Sequence, residues 1–362
     1  MPSADRPGGH CVRTENLYIA GLASEVPRRW PITEAVAAGR PGAAEALAAG
    51  WTGIAIADDT PAPELAAEAG RLALKRSGLA AEDVCLVLHG GTYHQGPEGW
   101  YAVNYVQDQV LGTAAPAIGL DQGCTAMLDG ARLAYGYLTH ALEGSAVLVT
   151  AADNFGTPAG DRFTYADGWA TGRGSVLGDA GCAVLLSATP GPLRIRSLVH
   201  SSISAWERLY RGDEQMFPPA ATGGTRMPLG RRMADYADSF PDRDLRQSMA
   251  RQLMETRTAL ARRAIEEAGL TSADITRVTH VFTGNPRYLE GLLRPLGIEP
   301  ARGMLDLGRT LGHVAACDQF LSLDHLVESG EIGPGDHVLL TGNGAGISLA
   351  SAVVEVLERP GW

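Results

Sequence analysis

Gly78-Leu-Ala-Ala-Glu-Asp83 and Gly269-Leu-Thr-Ser-Ala-Asp274 stand about 190 residues apart, each after a run of helical periodicity and before an apolar, strand-like run. Two more matches keep that order and spacing. Gly123-Cys-Thr-Ala-Met-Leu-Asp129 answers to Gly312-His-Val-Ala-Ala-Cys-Asp318, and Ser145-Ala-Val-Leu-Val-Thr150 to Asp336-His-Val-Leu-Leu-Thr341. Three matches in one order imply two copies of a single βα unit. Two such halves packed about a pseudo-twofold axis bring equivalent helix starts together, so Cys124 and His313 are expected to be neighbours.

Working outward, the periodicity predicts a helix over 63–77, an apolar strand at 84–88, a helix over 100–111 and a short strand at 117–120 running into Cys124. Residues 125–142 form a helix with Ala126, Gly130, Ala131, Ala134 and Gly136 among larger apolar residues, which predicts a central helix packed on several sides. Strands follow at 146–152 and 182–187. Residues 205–236, rich in Gly and Pro, are expected to be a long loop covering a site. A long helix over 244–268 opens the second half, and Gly342-Asn-Gly-Ala-Gly346 is expected to be a turn between the last two strands. Alternating apolar strands and helices indicate an α/β fold with buried sheets.

A chain of 362 residues can bury a large core, and its net charge of −11 argues against a nucleic-acid surface. The five cysteines, 11, 85, 124, 182 and 317, show no CxxC pair, so neither a disulfide framework nor a metal site is expected. No apolar run reaches membrane-spanning length and the first fifteen residues lack an export signal, so a cytoplasmic protein is expected.

Cys124 follows a strand directly and begins a helix, where free backbone N–H groups and the helix dipole favour a thiolate. A lone cysteine is otherwise a small apolar core residue, the reading preferred for Cys85, Cys182 and Cys317. The Gly342–Gly346 turn can aim backbone amides inward, and one of them with the amide of Cys124 would form an oxyanion hole for a thioester.

The segments 123–134, 147–153, Gly178-Asp-Ala-Gly181 through Leu186, and Gly342-Asn-Gly-Ala-Gly-Ile347 resemble β-ketoacyl-ACP synthase III and its relatives of the thiolase superfamily. The resemblance spans roughly 15–358. It implies a duplicated, five-layered αβαβα fold, with an N-terminal half at 15–190 carrying the cysteine and a C-terminal half at 191–358 carrying the histidine and the oxyanion turn. It also implies a homodimer, an acyl-cysteine intermediate and a substrate held as a thioester on the phosphopantetheine of an acyl carrier protein or coenzyme A, with no further cofactor. Cys124 matches the family nucleophile. Ala345 falls where the second oxyanion amide is donated.

The departures carry the functional reading. Condensing members have His-Gln-Ala-Asn where this chain has Phe282-Thr-Gly-Asn285, and Gly-Asn where it has Gly312-His313. The family's His and Asn together stabilise the enolate formed when a malonyl thioester loses CO₂, and Phe282 cannot donate. Acyl transfer needs only a nucleophile, a base and an oxyanion hole, with His313 as the base. Asp318 can orient His313 only if His313 lies outside the regular helix, because i and i+5 are about 140° apart on one. Phe282, Asn285 and Arg287 would border the substrate, Arg287 matching an arginine that helps the carrier approach. His280 reads as a core histidine, and His200 and His94 as candidates for the pocket wall beside Tyr93, Trp100, Phe155 and Trp169.

The expected activity is therefore acyl transfer through Cys124 to a hydroxyl, amine or second carrier thiol in polyketide, antibiotic or related secondary metabolism. A decarboxylative condensing synthase and a non-catalytic dimeric carrier-binding partner are the alternatives.

Overall fold

The computed structural model describes residues 10–140, 146–156, 162–164, 175–217, 229–239 and 243–362. Trp169 and part of the expected covering loop lie outside them. In the first half run β1 (His10–Arg13), β2 (Tyr18–Glu25), β3 (Arg29–Pro31), α1 (Ile32–Ala37), α2 (Ala43–Ala48) and β4 (Gly53–Ala55). They are followed by α3 (Ala62–Ser77), β5 (Val84–Gly90), α4 (Ala102–Val110), β6 (Ala117–Leu120), α5 (Ala126–Leu138), β7 (Ala146–Asp153) and β8 (Ala180–Ser187). The second half comprises β9 (Leu193–Ser202), α6 (Arg208–Arg211), α7 (Leu229–Asp238), α8 (Arg243–Glu267) and β10 (Ile275–Thr279). The chain ends with α9 (Pro286–Leu293), α10 (Leu305–Leu311), α11 (Asp318–Ser329), β11 (His337–Gly344) and β12 (Ser348–Val356).

The strands lie in the order β10-β11-β12-β9-β2-β8-β7-β5-β6, with β1 beside β9. This reads as two half-sheets of matching order, β5-β7-β8-β2 and β10-β11-β12-β9. They join where β2 meets β9 at only two residue pairs, Tyr18 with Arg194 and Ile19 with Leu193. Every residue of β7 and β8 is buried, as continuous apolar runs covered on both faces must be.

α3 covers the first half-sheet and α8 the second, while α5 and α11 lie between the sheets and touch both. The result is the αβαβα layering. α5 packs closely because Gly130 leaves room for Val149, whose methyl carbon would be 2.5 Å from a Cβ there. The helix is packed on several sides, as its small residues suggested, but its outer face is open: Leu133 and Tyr137 are 51% and 41% exposed. The expected loop at 205–236 also needs correcting. It contains α6 and part of it forms α7, whose Met233 packs with Leu209, Met249 and Ile347 to make a small separate core. Among the described residues no helix is long and apolar enough to cross a membrane.

Candidate active site

The nucleophile turn is built where β6 ends. Gly123–Thr125 form one 3₁₀ turn, α5 begins at Ala126, and the half-buried Cys124 packs against the cluster of Phe155, Leu177 and Ala315, as does Tyr93. Thr125 Oγ1 shares a 2.7 Å hydrogen bond with Ser348 Oγ at the start of β12, which ties the turn to the second half. β11 passes equally close. A Cβ on Gly344 would lie 3.2 Å from the Gln122 carbonyl oxygen and 3.3 Å from the Thr125 nitrogen, so only glycine lets the backbones meet without adjustment. Ala345 follows immediately and begins the 3₁₀ turn Ala345–Ile347. β11 thus runs three residues into the stretch read as a turn from sequence, and the turn proper is confined to 345–347.

His313 is positioned by the other half. Its N–H donates to the Val176 carbonyl at 2.7 Å, and its carbonyl accepts from the Gly178 N–H at 3.0 Å. Gly312 makes this possible: its φ is +83°, and a side chain there would meet the Gly178 nitrogen at 2.7 Å. Ala315, two residues on, is also left-handed, with φ +53°. The chain therefore turns between Gly312 and Cys317, and α11 begins only at Asp318.

Because His313 stands outside the helix, Asp318 can reach back to it. His313 Nδ1 lies 2.6 Å from Asp318 Oδ2, and Nε2 lies 3.3 Å from Cys124 Sγ. The same carboxylate accepts the Val314 N–H at 2.9 Å and the Phe282 N–H at 2.8 Å, and it is fully buried. With Asp318 accepting, Nδ1 carries the proton and Nε2 faces the sulfur. Burial alone would lower the His313 pKa. The negative charges of Asp318 and Cys124, with the hydrogen bonds each makes, outweigh burial and hold it well above the usual value.

The remaining residues singled out from sequence fall in different places. The Phe282 ring is enclosed against Gly308 of α10, and only its backbone N–H reaches the site, through Asp318. Asn285 caps α9, its side-chain oxygen accepting the Arg287 N–H at 3.0 Å, and Arg287 is exposed on the first turn of that helix. His280 is satisfied in the core: Nδ1–H donates to the Val281 carbonyl at 2.8 Å and Nε2 accepts the Met304 N–H at 3.0 Å. His200 meets the Leu128 carbonyl and Asp129, away from the sulfur, and burial lowers its pKa to about 4. His94 is exposed and bonded to the Pro97 carbonyl.

Two features were missed from sequence. Asp153, at the end of β7, is fully buried with its carboxylate on the Thr92 N–H and Oγ1, and burial lifts its pKa to about 7. Arg257 interrupts the apolar stripe Leu253, Leu260, Ala261, Ala264 of α8, and that interruption was visible in the sequence. Its guanidinium bonds the Tyr288 hydroxyl, which donates to Asn343 Oδ1 at 2.8 Å on β11, next to Gly344.

Residues 265–356 match the family model described as 3-oxoacyl-[acyl-carrier-protein (ACP)] synthase III C terminal. β-Ketoacyl-[acyl-carrier-protein] synthase III 2 of Streptomyces avermitilis is 30% identical over 301 residues, 82% of this chain and 84% of that protein. Acetoacetyl CoA synthase NphT7 of Streptomyces sp. strain CL190 is 28% identical over 306 residues, 83% and 85% of the two chains. Among solved structures, the acyltransferase ChlB3 is 34% identical, with a TM-score of 0.87 over 96% of this chain and all of that one. The 3-oxoacyl-(acyl carrier protein) synthase III of Xanthomonas oryzae shares the fold at 19% identity and TM-score 0.73, covering 95% of this chain and all of that one.

Proposed function

We propose that this chain, which belongs to the β-ketoacyl-ACP synthase III family, is a non-condensing acyltransferase of polyketide or related secondary metabolism. It takes an acyl group from an acyl carrier protein or coenzyme A thioester onto Cys124 and passes it to a hydroxyl, an amine or a second carrier thiol. One observation carries the reading: the imidazole bridges sulfur and carboxylate, at 3.3 and 2.6 Å, while Phe282 stands at the sequence position of a condensing member's histidine.

The sulfur, having given its proton to His313 Nε2, attacks the thioester carbonyl. The amides of Cys124 and Ala345 are assigned to the developing oxyanion. The donor's C–S bond breaks, and its thiol leaves with the proton from Nε2. Acylation removes the negative charge at Cys124, one of the influences that raise the His313 pKa. Burial then acts against less opposition, so the imidazole stays unprotonated and free to take the acceptor's O–H, N–H or S–H proton. The acceptor attacks, the acyl–sulfur bond breaks, and the proton returns to Cys124. Asp318 holds the tautomer throughout.

Similarity to the acyltransferase ChlB3 supports transfer. NphT7 is by name an acetoacetyl CoA synthase, but His280, which packs edge-on against Phe282 just after β10, has both ring nitrogens committed to backbone groups. A homodimer in the cytoplasm, with Arg287 at the carrier's approach, completes the proposal. β6 is an edge strand with Ile118 51% exposed, which supports pairing with a second copy. His313→Asn tests the assignment: transfer should fall by about 10²–10⁴-fold, the share of a general base, with no CO₂ released from a malonyl thioester. Undiminished transfer, or release of CO₂ by the wild type, would contradict it.

A further inference from the structure

Arg257 is only 6% exposed, and among the described residues no carboxylate meets it. Its partners there are the Tyr288 hydroxyl, the Met254 sulfur at 3.3 Å and the face of the Tyr288 ring, 4.1 Å from the guanidinium carbon. The comparably sheltered Arg76 and Arg162 are each matched by acid, Asp324 at 2.9 Å and Asp179 at 2.6 Å. A guanidinium cannot shed its charge, so leaving one buried with only neutral partners is costly unless an anion arrives to join it.

The position of this cation names the anion. Tyr288 links Arg257 to Asn343, and the next residue, Gly344, passes against the Gln122–Thr125 turn that carries the nucleophile. Arg257 is therefore a buried cation joined through Tyr288 and Asn343 to the part of β11 that adjoins the nucleophile turn. The phosphate of a phosphopantetheine arm stays with its carrier outside and does not suit so enclosed a group. The acyl chain is the part of the substrate that enters, and a carboxylate at its far end matches the planar fork of a guanidinium.

We propose that the acyl group accepted by Cys124 ends in a free carboxylate held by Arg257 and Tyr288, so that the natural donor is a dicarboxylic half-thioester. This rests on the acyl-cysteine reading above. Only the thioester end reacts: its C–S bond breaks as the Cys124–acyl bond forms, and the carboxylate passes through unchanged. Even a β-carboxylate would survive, because Phe282 offers no hydrogen bond to the enolate that its loss would generate.

The test compares loading rates by intact mass for coenzyme A thioesters paired in size, malonyl with butyryl and succinyl with valeryl. At least one carboxylate-bearing member should load about tenfold or more faster than its neutral partner, the span of one or two charge-assisted hydrogen bonds. That ratio should collapse in Arg257→Gln and be partly kept in Arg257→Lys, with circular dichroism confirming that both variants fold. Loading of neutral chains at equal or greater rates, or an unchanged ratio in Arg257→Gln, overturns the carboxylate assignment and leaves the acyl-cysteine reading standing. No acyl-enzyme from any thioester would overturn both.

Discussion

Asp153 shows how the surroundings of the site set the charge of single residues. Burial holds its carboxyl near 7, although Thr92 donates to it twice. The folded value exceeds the unfolded value of about 3.9, so above that pH the unfolded chain ionises more readily, and the stability Asp153 subtracts grows up to about pH 7 and keeps its full size beyond it. Asp153→Asn removes the ionisation and should stabilise the protein more at pH 8 than at pH 4, by about 1–3 kcal/mol in chemical denaturation. An equal effect at both pH values would show that Asp153 is not held protonated. His313 has the opposite sign. Its raised value contributes stability that is fully present below about 6.5 and is lost as pH climbs through the folded value. Cys124 and His313 could be paired from the repeat alone. The reach of Asp318 could not, because it depends on the left-handed Gly312 and Ala315 that keep His313 off the helix.

At the scale of elements, the site is made where the ends of β6 and β11 and the start of α11 converge. Gly344 is the tightest point of that convergence. Gly344→Ala has an accessible φ of −131°, so its effect is the crowding of Gln122 and Thr125 rather than backbone strain. A shift of a few tenths of an ångström at the assigned oxyanion amides should lower the acyl-transfer rate about tenfold, part of the 10²–10³ that a lost donor costs, with little change in thermal stability. A normal rate would remove β11 from oxyanion binding. The strands and most helices were legible because their apolar periods are strong. α7 was not, since the glycines and prolines around it mask a single amphipathic turn pattern that is fixed by packing on α6 and Ile347. The Arg257–Tyr288 contact was hidden for a related reason: it joins α8 to α9, and no spacing within either helix reveals the pairing.

Across the whole molecule, the two half-sheets match strand for strand except at β1, which pairs with β9, and at β6, which belongs to the first half and lies at the sheet's edge. Ile118 on β6 and Leu133 and Tyr137 on α5 are exposed apolar side chains of the first half. Light scattering should find twice the monomer mass for the wild type and a shift toward monomer for Leu133→Asp. A monomeric wild type would contradict the proposed pairing. The central claim is that the acyl group travels on Cys124, and intact-mass spectrometry tests it most directly. Wild type incubated with a panel of acyl-CoA and acyl-carrier thioesters should gain the mass of one acyl group, lose it when acceptor is added, and show no gain in Cys124→Ala. Equal acylation of Cys124→Ala, or transfer by that variant at an undiminished rate, would contradict an acyl-cysteine mechanism.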